Sequence, residues 1–105
     1  MSDLEIKLVK LCDGILALVD WEAELQEAGE TDRAAEVRAH LVQMIEFAVR
    51  IPAGTPDGLS AKRDALFAIM NARGDLGEHV AVQALRESID TDGKRFGAGY
   101  DRLLN

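Results

Sequence analysis

The residues of this chain that could do chemistry are its two histidines, its single cysteine and the polar residues of two short segments. Glu36 and His40 stand one helical turn apart, as metal ligands sometimes do, and His79 follows a glutamate at a predicted helix start. Neither histidine belongs to the Glu-x-x-His pairs of di-iron bundles or to a His-Glu-x-x-His zinc motif. We therefore expect both to be ordinary, partly exposed side chains, and we expect no metal site.

The Asp-Thr-Asp-Gly stretch at 90–93 is similar to the acidic part of a calcium loop. If Gly93 took the glycine position of such a loop, Ser88 and Gly99 would stand at its first and twelfth positions, where acidic ligands are needed. A helix that ends in an Asp-Gly turn explains the stretch better. The glycine-rich segment that follows lacks the preceding strand and the Gly-Lys-Ser or Gly-Lys-Thr ending of a phosphate-binding loop.

Cys12 has apolar neighbours, and its only nearby cation, Lys10, points to another side of the predicted helix. A nucleophilic thiol needs a lowered pKa and a base, so Cys12 is predicted to be a core residue. The sequence therefore predicts no catalytic residue, no cofactor and no enzymatic activity.

The chain has 105 residues, the size of one domain, and a formal net charge of −7. Residues 1–51 hold 11 acids and 5 bases, a net charge of −6, whereas residues 52–105 hold 8 acids and 7 bases, a net charge of −1. Direct binding to nucleic acid or to anionic membranes is not expected, because both need clustered lysine and arginine. The single cysteine, the absence of a leader pattern and the lack of an apolar run of about 20 residues predict a cytoplasmic location.

The acidic excess is concentrated in residues 11–32, which hold seven carboxylates and no lysine or arginine. A seven-residue leucine repeat runs through the same segment: Leu4, Leu11, Leu18 and Leu25. On a helix, four carboxylates fall on the side opposite these leucines. We call them the acidic ridge: Asp13, Asp20, Glu24 and Glu27. Glu22 falls inside the leucine stripe, where a buried carboxylate needs a partner. A hairpin core or a parallel leucine zipper would explain the repeat.

Capping residues and prolines divide the chain into four predicted helices. Their predicted ranges run from Ser2 to Gly29, from Thr31 or Asp32 to Ile51, from Thr55 to Gly74, and from the segment 75–78 to Asp92. No period-2 alternation predicts a strand. The predicted fold is all-α, either a four-helix bundle or two consecutive helical hairpins that dimerisation completes. Residues 1–92 are predicted to form a single helical domain, and 93–105 a glycine-containing C-terminal tail that is disordered or adds a short helical turn.

Residues 52–62 read Pro-Ala-Gly-Thr-Pro-Asp-Gly-Leu-Ser-Ala-Lys. This segment resembles a Pro-Ala-Thr-Thr-Leu-x-Gly-x-x-Ala-Lys segment of short helical proteins from alphaproteobacteria and their prophages, where it joins an acidic helical hairpin to the next helix. The matching residues are Pro52, Ala53, Thr55, Gly58, Ala61 and Lys62. Gly54 and Pro56 depart from the pattern. The resemblance implies a bacterial or mobile-element origin and no activity, and helix punctuation alone would also explain the matches.

Two functional hypotheses follow from these patterns. The first is a small acidic, non-enzymatic protein-interaction module that forms a homodimer by apolar packing and selects a basic protein partner with its acidic ridge. The alternative is a phage-type inhibitor that mimics nucleic acid and occupies the basic groove of a nuclease, a repressor or a CRISPR complex. The predicted interface anchors are Trp21, Val9 and Leu16. Tryptophan is enriched at interfaces, and the apolar surface around Val9 and Leu16 is wider than packing against one helix requires. A merely solvated surface would also explain the ridge.

Overall fold

The computed structural model describes residues 2–72 and 74–104, with the side chains of 2–72 and 74–95. All regular structure in these ranges is helical, which confirms the prediction of an all-α four-helix bundle. The α-helices are α1 (Asp3–Glu27), α2 (Thr31–Arg50), α3 (Pro56–Asn71) and α4 (Val80–Leu104), and one 3-10 turn spans Leu76–Glu78.

Three of the predicted capping signals act at the helix ends. At the start of α1, Ser2 Oγ accepts a hydrogen bond of 3.2 Å from the backbone N–H of Glu5. This is one half of the capping box that Ser2 and Glu5 predict, because the Glu5 carboxylate accepts from Gly54 and Thr55 instead of reaching back to Ser2. At the start of α3, Thr55 Oγ1 accepts one of 3.1 Å from the backbone N–H of Gly58. After α1, Gly29 has a φ of 76°, in the left-handed region where glycine is favoured. The predicted hairpin between α1 and α2 therefore has the expected turn.

The junction between α3 and α4 differs from its prediction. The helix α3 ends at Asn71, and the predicted capping segment 75–78 forms the 3-10 turn instead of the first turn of α4. α4 begins at Val80, where His79 Nδ1 accepts a hydrogen bond of 3.0 Å from the backbone N–H of Ala81. The sequence did not predict this cap, because histidine is not among the preferred N-cap residues.

The backbone of α4 continues as a helix through Leu104, past the Asp-Gly turn where the sequence predicted an end. Glycine lowers helix stability by only about 1 kcal/mol relative to alanine, so Gly93 does not by itself stop a helix. The helix thus runs from the predicted domain, residues 1–92, into the predicted tail, residues 93–105. That division stays a prediction, and the side chains of the tail from 96 onward lie outside the described residues.

In the bundle, α1 packs against α2 and α3, and α4 packs against the same two helices. α1 and α4 therefore lie at opposite corners. α1 and α2 are antiparallel: Glu22 near the end of α1 bonds to Arg38 in the first half of α2. Residues of the two helices whose numbers sum to 60, such as 22 and 38, therefore stand at one level along the bundle. Glu5 of α1 bonds to Thr55 at the start of α3, so α1 and α3 run parallel.

The buried face of α1 is offset from the leucine repeat. It consists of Glu5, Leu8, Cys12, Ile15, Val19, Glu22 and Leu25. Leu4 is 60 % exposed, and Leu11 and Leu18 are half-buried at the edge of the core that faces α2. Of the two explanations of the leucine repeat, the hairpin core therefore holds at Leu25 and fails at Leu4. The core side chains of α1 instead follow a heptad pattern that begins at Glu5 and Leu8.

The helix α3 has a stripe of small residues at helical spacing: Gly58, Ala61, Ala65, Ala68 and Ala72. Gly58 at one end of the stripe contacts the Glu5 side chain, and Ala72 at the other end lies beside Val19 of α1. Small side chains let two helices approach closely, because little volume separates their backbones. Small side chains on α3 therefore line its side toward α1, which favours close packing of the two helices.

Candidate interaction surfaces

All four carboxylates of the acidic ridge are exposed on α1. By helical spacing they lie on the side of α1 that faces α3, and α3 adds two more exposed carboxylates, Asp57 and Asp64. Because α1 and α3 are parallel and begin at the same level, Asp64 stands near the level of Asp13. The sequence did not predict the contribution of α3, because the spacing within one helix does not show which helix packs against that side.

The environment of Cys12 supports this placement. The pKa of the Cys12 thiol is raised to about 11, mainly by burial; Lys62 lowers it, and the charges of Asp13 and Asp64 raise it. The charges of a carboxylate on α1 and a carboxylate on α3 therefore both act on the same buried sulfur. A thiol that keeps its proton at neutral pH is a poor nucleophile. Cys12 is 1 % exposed, so the prediction of a core residue is confirmed.

We call the combined surface the acidic face. It consists of Asp13, Asp20, Glu24, Glu27, Asp57 and Asp64. The basic residues nearest to it along the chain are directed elsewhere: Lys10 lies further round α1 toward α2, and Arg63 lies beside Gly93 of α4. The acidic face thus combines exposed carboxylates from two neighbouring helices.

The three predicted interface anchors do not share one surface. Val9 and Leu16 are half-buried on the side of α1 toward α3, at the border of the acidic face. Trp21 is 44 % exposed on the other side of α1, toward α2. The structure therefore separates the tryptophan from the two aliphatic anchors, and any one partner surface would contact only one of these sites.

Trp21 belongs to a second surface, which we call the outer face. It lies across α1 and α2 and has an apolar centre formed by Leu11, Gly14, Leu18, Trp21, Met44 and Phe47. Phe47 is 48 % exposed, and the Met44 side chain lies over Gly14, where a Cβ atom would collide with it. The Arg50 guanidinium carbon lies 5.9 Å from the centroid of the Phe47 ring. Phe47 is therefore a surface residue, although it stands beside the apolar stripe of α2.

Glu22, the carboxylate inside the leucine stripe, is 5 % exposed and fully partnered. Arg38 of α2 donates to both of its oxygens, at 2.8 Å from Nη2 and 3.2 Å from Nε, and Gln26 donates to it at 3.0 Å. Arg38 also donates to Asp75 at 2.6 Å. These carboxylates raise the pKa of Arg38. The pattern showed that Glu22 needed a partner, whereas the identity of the partner depended on the α1–α2 register.

A second buried polar cluster, at the other end of the bundle, was not predicted. Lys62 of α3 is fully buried and donates to Asp92 and to Ser88 of α4, both at 2.6 Å. Asp92 also accepts a hydrogen bond of 3.1 Å from the backbone N–H of Ala53. Asp92 thus connects α4 to both α3 and the α2–α3 connection. The only available signal was a lysine at the helical spacing of the α3 core residues.

Glu5 completes this cluster from α1. Its carboxylate accepts hydrogen bonds from the backbone N–H of Gly54 and, at 2.9 Å, from the Thr55 hydroxyl. A Cβ atom on Gly58 would collide with the same carboxylate. The residues that carry the resemblance at 52–62 therefore include those that hold the α2–α3 connection in place. Their types are explained by this local structure.

The described residues contain no group of three or more metal-ligating side chains. Glu36 and His40 are exposed on α2. A cavity of about 190 Å³ opens where the α1–α3 seam ends, lined by Val19, Glu22, Ala23, Gln26, Glu27, Ala72 and Leu76. Typical small-molecule sites measure about 300–1,000 Å³, so this cavity is small for a ligand of that kind. Two open surface depressions, of about 320 Å³ beside Asp92 and about 340 Å³ beside Arg38, are at the lower limit of that range. We take the two faces as the candidate functional features.

No family model, curated protein or solved structure matches this chain. No helix in the described ranges is long and apolar enough to cross a membrane.

Proposed function

We propose that this protein is a non-enzymatic interaction module of bacterial or mobile-element origin that acts in the cytoplasm and binds a basic protein surface with its acidic face. The observation that supports the proposal is the alignment of carboxylates from two packed helices, Asp13 and Asp20 on α1 with Asp57 and Asp64 on α3. Complementary charge increases association rates and excludes wrong partners. A surface fixed on two rigid helices presents these charges in one geometry.

The alternative, an inhibitor that mimics nucleic acid, requires a higher charge density. The acidic face spans the levels of about 21 residues of α1, which corresponds to about 32 Å at 1.5 Å per residue. Six carboxylates over that length give about one charge per 5 Å, whereas duplex DNA carries one per about 1.7 Å. The spacing therefore favours a basic protein patch over a groove built for a duplex.

The test is affinity capture of the partner from the source cell, with mass spectrometry to identify it and binding measured afterwards on the purified pair. The acidic-face variant is Asp13→Lys/Asp20→Lys/Asp64→Lys. We expect it to lose binding almost completely, because three attractive charges become repulsive. Circular dichroism checks that the variant keeps its helical content, as exposed substitutions should.

The matched control is Glu46→Lys/Glu87→Lys/Asp90→Lys, on α2 and α4. Each replacement adds two charges, so both triple variants change the net charge from −7 to −1. The control should keep most of the binding, since its charges lie off the acidic face. Equal loss in both variants would show a non-specific charge effect and would contradict the proposal. Competition by added duplex DNA for the partner's groove would favour the mimic.

A further inference from the structure

The outer face combines exposed aromatic rings with charges at both ends, and it is separate from the acidic face except at Glu24. Trp21 and Phe47 are each nearly half exposed, and half-buried Leu11, Leu18 and Met44 lie between them. Contiguous exposed apolar surface on a small protein marks an interaction site. Methionine and aromatic side chains are also enriched at such sites.

Two sets of three exposed residues run along this face at heptad spacing. They are Lys10, Ala17 and Glu24 on α1, and Glu36, Gln43 and Arg50 on α2. Because α1 and α2 are antiparallel, the pairs 10 and 50, 17 and 43, and 24 and 36 each stand at one level, with the same sum of 60 as the bonded pair Glu22 and Arg38. Among these six residues, both positive charges lie at one end, both negative charges at the other, and neutral residues in the middle. Lys7, in line with Trp21, adds a positive charge at the first end, and Arg33, in line with Phe47, forms an ion pair with Glu30 at the second end.

This arrangement is complementary to itself. The second copy is related by a two-fold axis that lies in the interface, perpendicular to the helices, at the level of Ala17 and Gln43. This axis reverses the helix direction and places Arg50 of one copy opposite Glu36 of the second copy. The same axis places Lys10 opposite Glu24 of the second copy. An isologous interface needs such self-complementarity, because each contact occurs twice. One position of the axis satisfies both charge pairs, and the small side chain of Ala17 permits close approach at the centre.

The size of the face is sufficient for a dimer. The helix α2 has 20 residues, which gives about 30 Å of length at 1.5 Å per residue, and two packed helices are about 20 Å wide. The flat area of this face is about 600 Å². Each partner in a standard interface buries about 800 Å² of accessible surface, which is of the same order.

We propose that a second copy of this chain docks antiparallel on the outer face, α1 against α1 and α2 against α2, with Arg50 paired to Glu36 and Lys10 paired to Glu24 of the second copy. The dimer leaves Asp13, Asp20, Asp57 and Asp64 exposed on each copy, so it presents two acidic faces. It does not depend on the function proposed above, because homodimerisation is measured without any other partner.

Sedimentation equilibrium of the full chain over a wide concentration range tests the proposal. We expect a reversible monomer–dimer equilibrium, and we expect Phe47→Glu to weaken it at least about 10-fold by placing a charge in the apolar centre. Phe67→Glu is the matched control, because Phe67 is a more exposed phenylalanine, at 73 %, on α3. The control should dimerise like the wild type. A wild type that stays monomeric at high concentration, or equal losses in the two variants, would overturn the proposal.

A charge swap tests the geometry itself. Arg50→Glu and Glu36→Arg should each weaken the dimer about 10-fold, because each puts like charges opposite one another at two symmetric places. The double variant Arg50→Glu/Glu36→Arg restores opposite charges and should recover the wild-type dissociation constant to within a few-fold. If the double variant is as weak as or weaker than the single ones, the antiparallel two-fold arrangement is wrong.

Discussion

Glu5 and Glu22 lie on the same buried face of α1, and each is 5 % exposed, but their partners differ in kind. Glu5 accepts hydrogen bonds from an uncharged backbone N–H and an uncharged hydroxyl in the α2–α3 connection. Glu22 accepts from the guanidinium of Arg38, whose side chain is 24 % exposed. The first carboxylate positions a loop, and the second forms an ion pair at the edge of the bundle.

The ion pairs next to the two glutamates also differ in how exposed they are. At the Glu5 end, Lys62 and Asp92 form an ion pair with side chains 0 % and 4 % exposed. At the Glu22 end, Arg38 also bonds to Asp75, whose side chain is 76 % exposed. We call these the closed end and the open end of the bundle. Water can replace a lost partner at the open end, whereas at the closed end a lost partner leaves a buried group unsatisfied.

The largest expected effect is at the closed end, on Lys62. Lys62→Met should lower the free energy of unfolding by about 3–5 kcal/mol, because Asp92 is left buried without its counter-charge. Urea denaturation followed by circular dichroism measures the change.

The control for this prediction is the double variant Lys62→Met/Asp92→Asn. The neutral amide of asparagine can still accept from the backbone N–H of Ala53, so the double variant should recover a large part of the lost stability. If it is as unstable as Lys62→Met alone, the unpaired carboxylate is not the cause.

The second prediction compares the two glutamates directly. Glu5→Ala should lower the free energy of unfolding by about 2–3 kcal/mol, because it removes two hydrogen bonds to a charged acceptor. Glu22→Ala should lower it by about 1 kcal/mol, because the partly exposed Arg38 regains water and keeps Asp75. Urea denaturation of both variants under one set of conditions measures the difference.

The glutamine variants separate hydrogen bonding from charge. Glu5→Gln keeps an acceptor oxygen for uncharged donors and should recover more than half of the loss of Glu5→Ala. Glu22→Gln removes the charge that attracts Arg38 and should recover little. The reverse order of recovery would show that charge matters at Glu5 and hydrogen bonding at Glu22, which contradicts the comparison.

How far the sequence predicts this structure also differs between the two ends. Periodicity and capping predicted four helices, and the position of Glu22 in an apolar stripe showed that a partner was required. For Glu5 no such signal was read, because a glutamate in the first turn of a helix is explained by the capping box alone. Its contact with the α2–α3 connection depends on the parallel packing of α1 and α3, which helical periodicity does not encode.

The same limit applies to the candidate surfaces. The carboxylates of α1 were visible as a ridge, because one helix contains them all. Asp57 and Asp64 join them only through the packing of α3, and Trp21 separates from Val9 and Leu16 only once α2 and α3 are placed on different sides of α1. Residue types thus indicated that the carboxylates of the ridge are exposed, while the order of helices around the bundle decided which side chains share a face.

The smallest expected effect is at the open end, on Asp75. Hydrogen bonding to Arg38, followed by its positive charge, holds the pKa of Asp75 below its ordinary value of 3.8. A carboxylate with a lowered pKa in the folded state stabilises the fold at pH values above its unfolded pKa, and this contribution is lost as the pH falls through the folded pKa. Asp75→Asn should therefore lower the Tm slightly at neutral pH and have no effect in strong acid. Asp90→Asn, the same change on the exposed surface of α4, should show no such pH dependence. A Tm difference for Asp75→Asn that persists below the folded pKa would mean that Asp75 acts through its shape rather than through its charge.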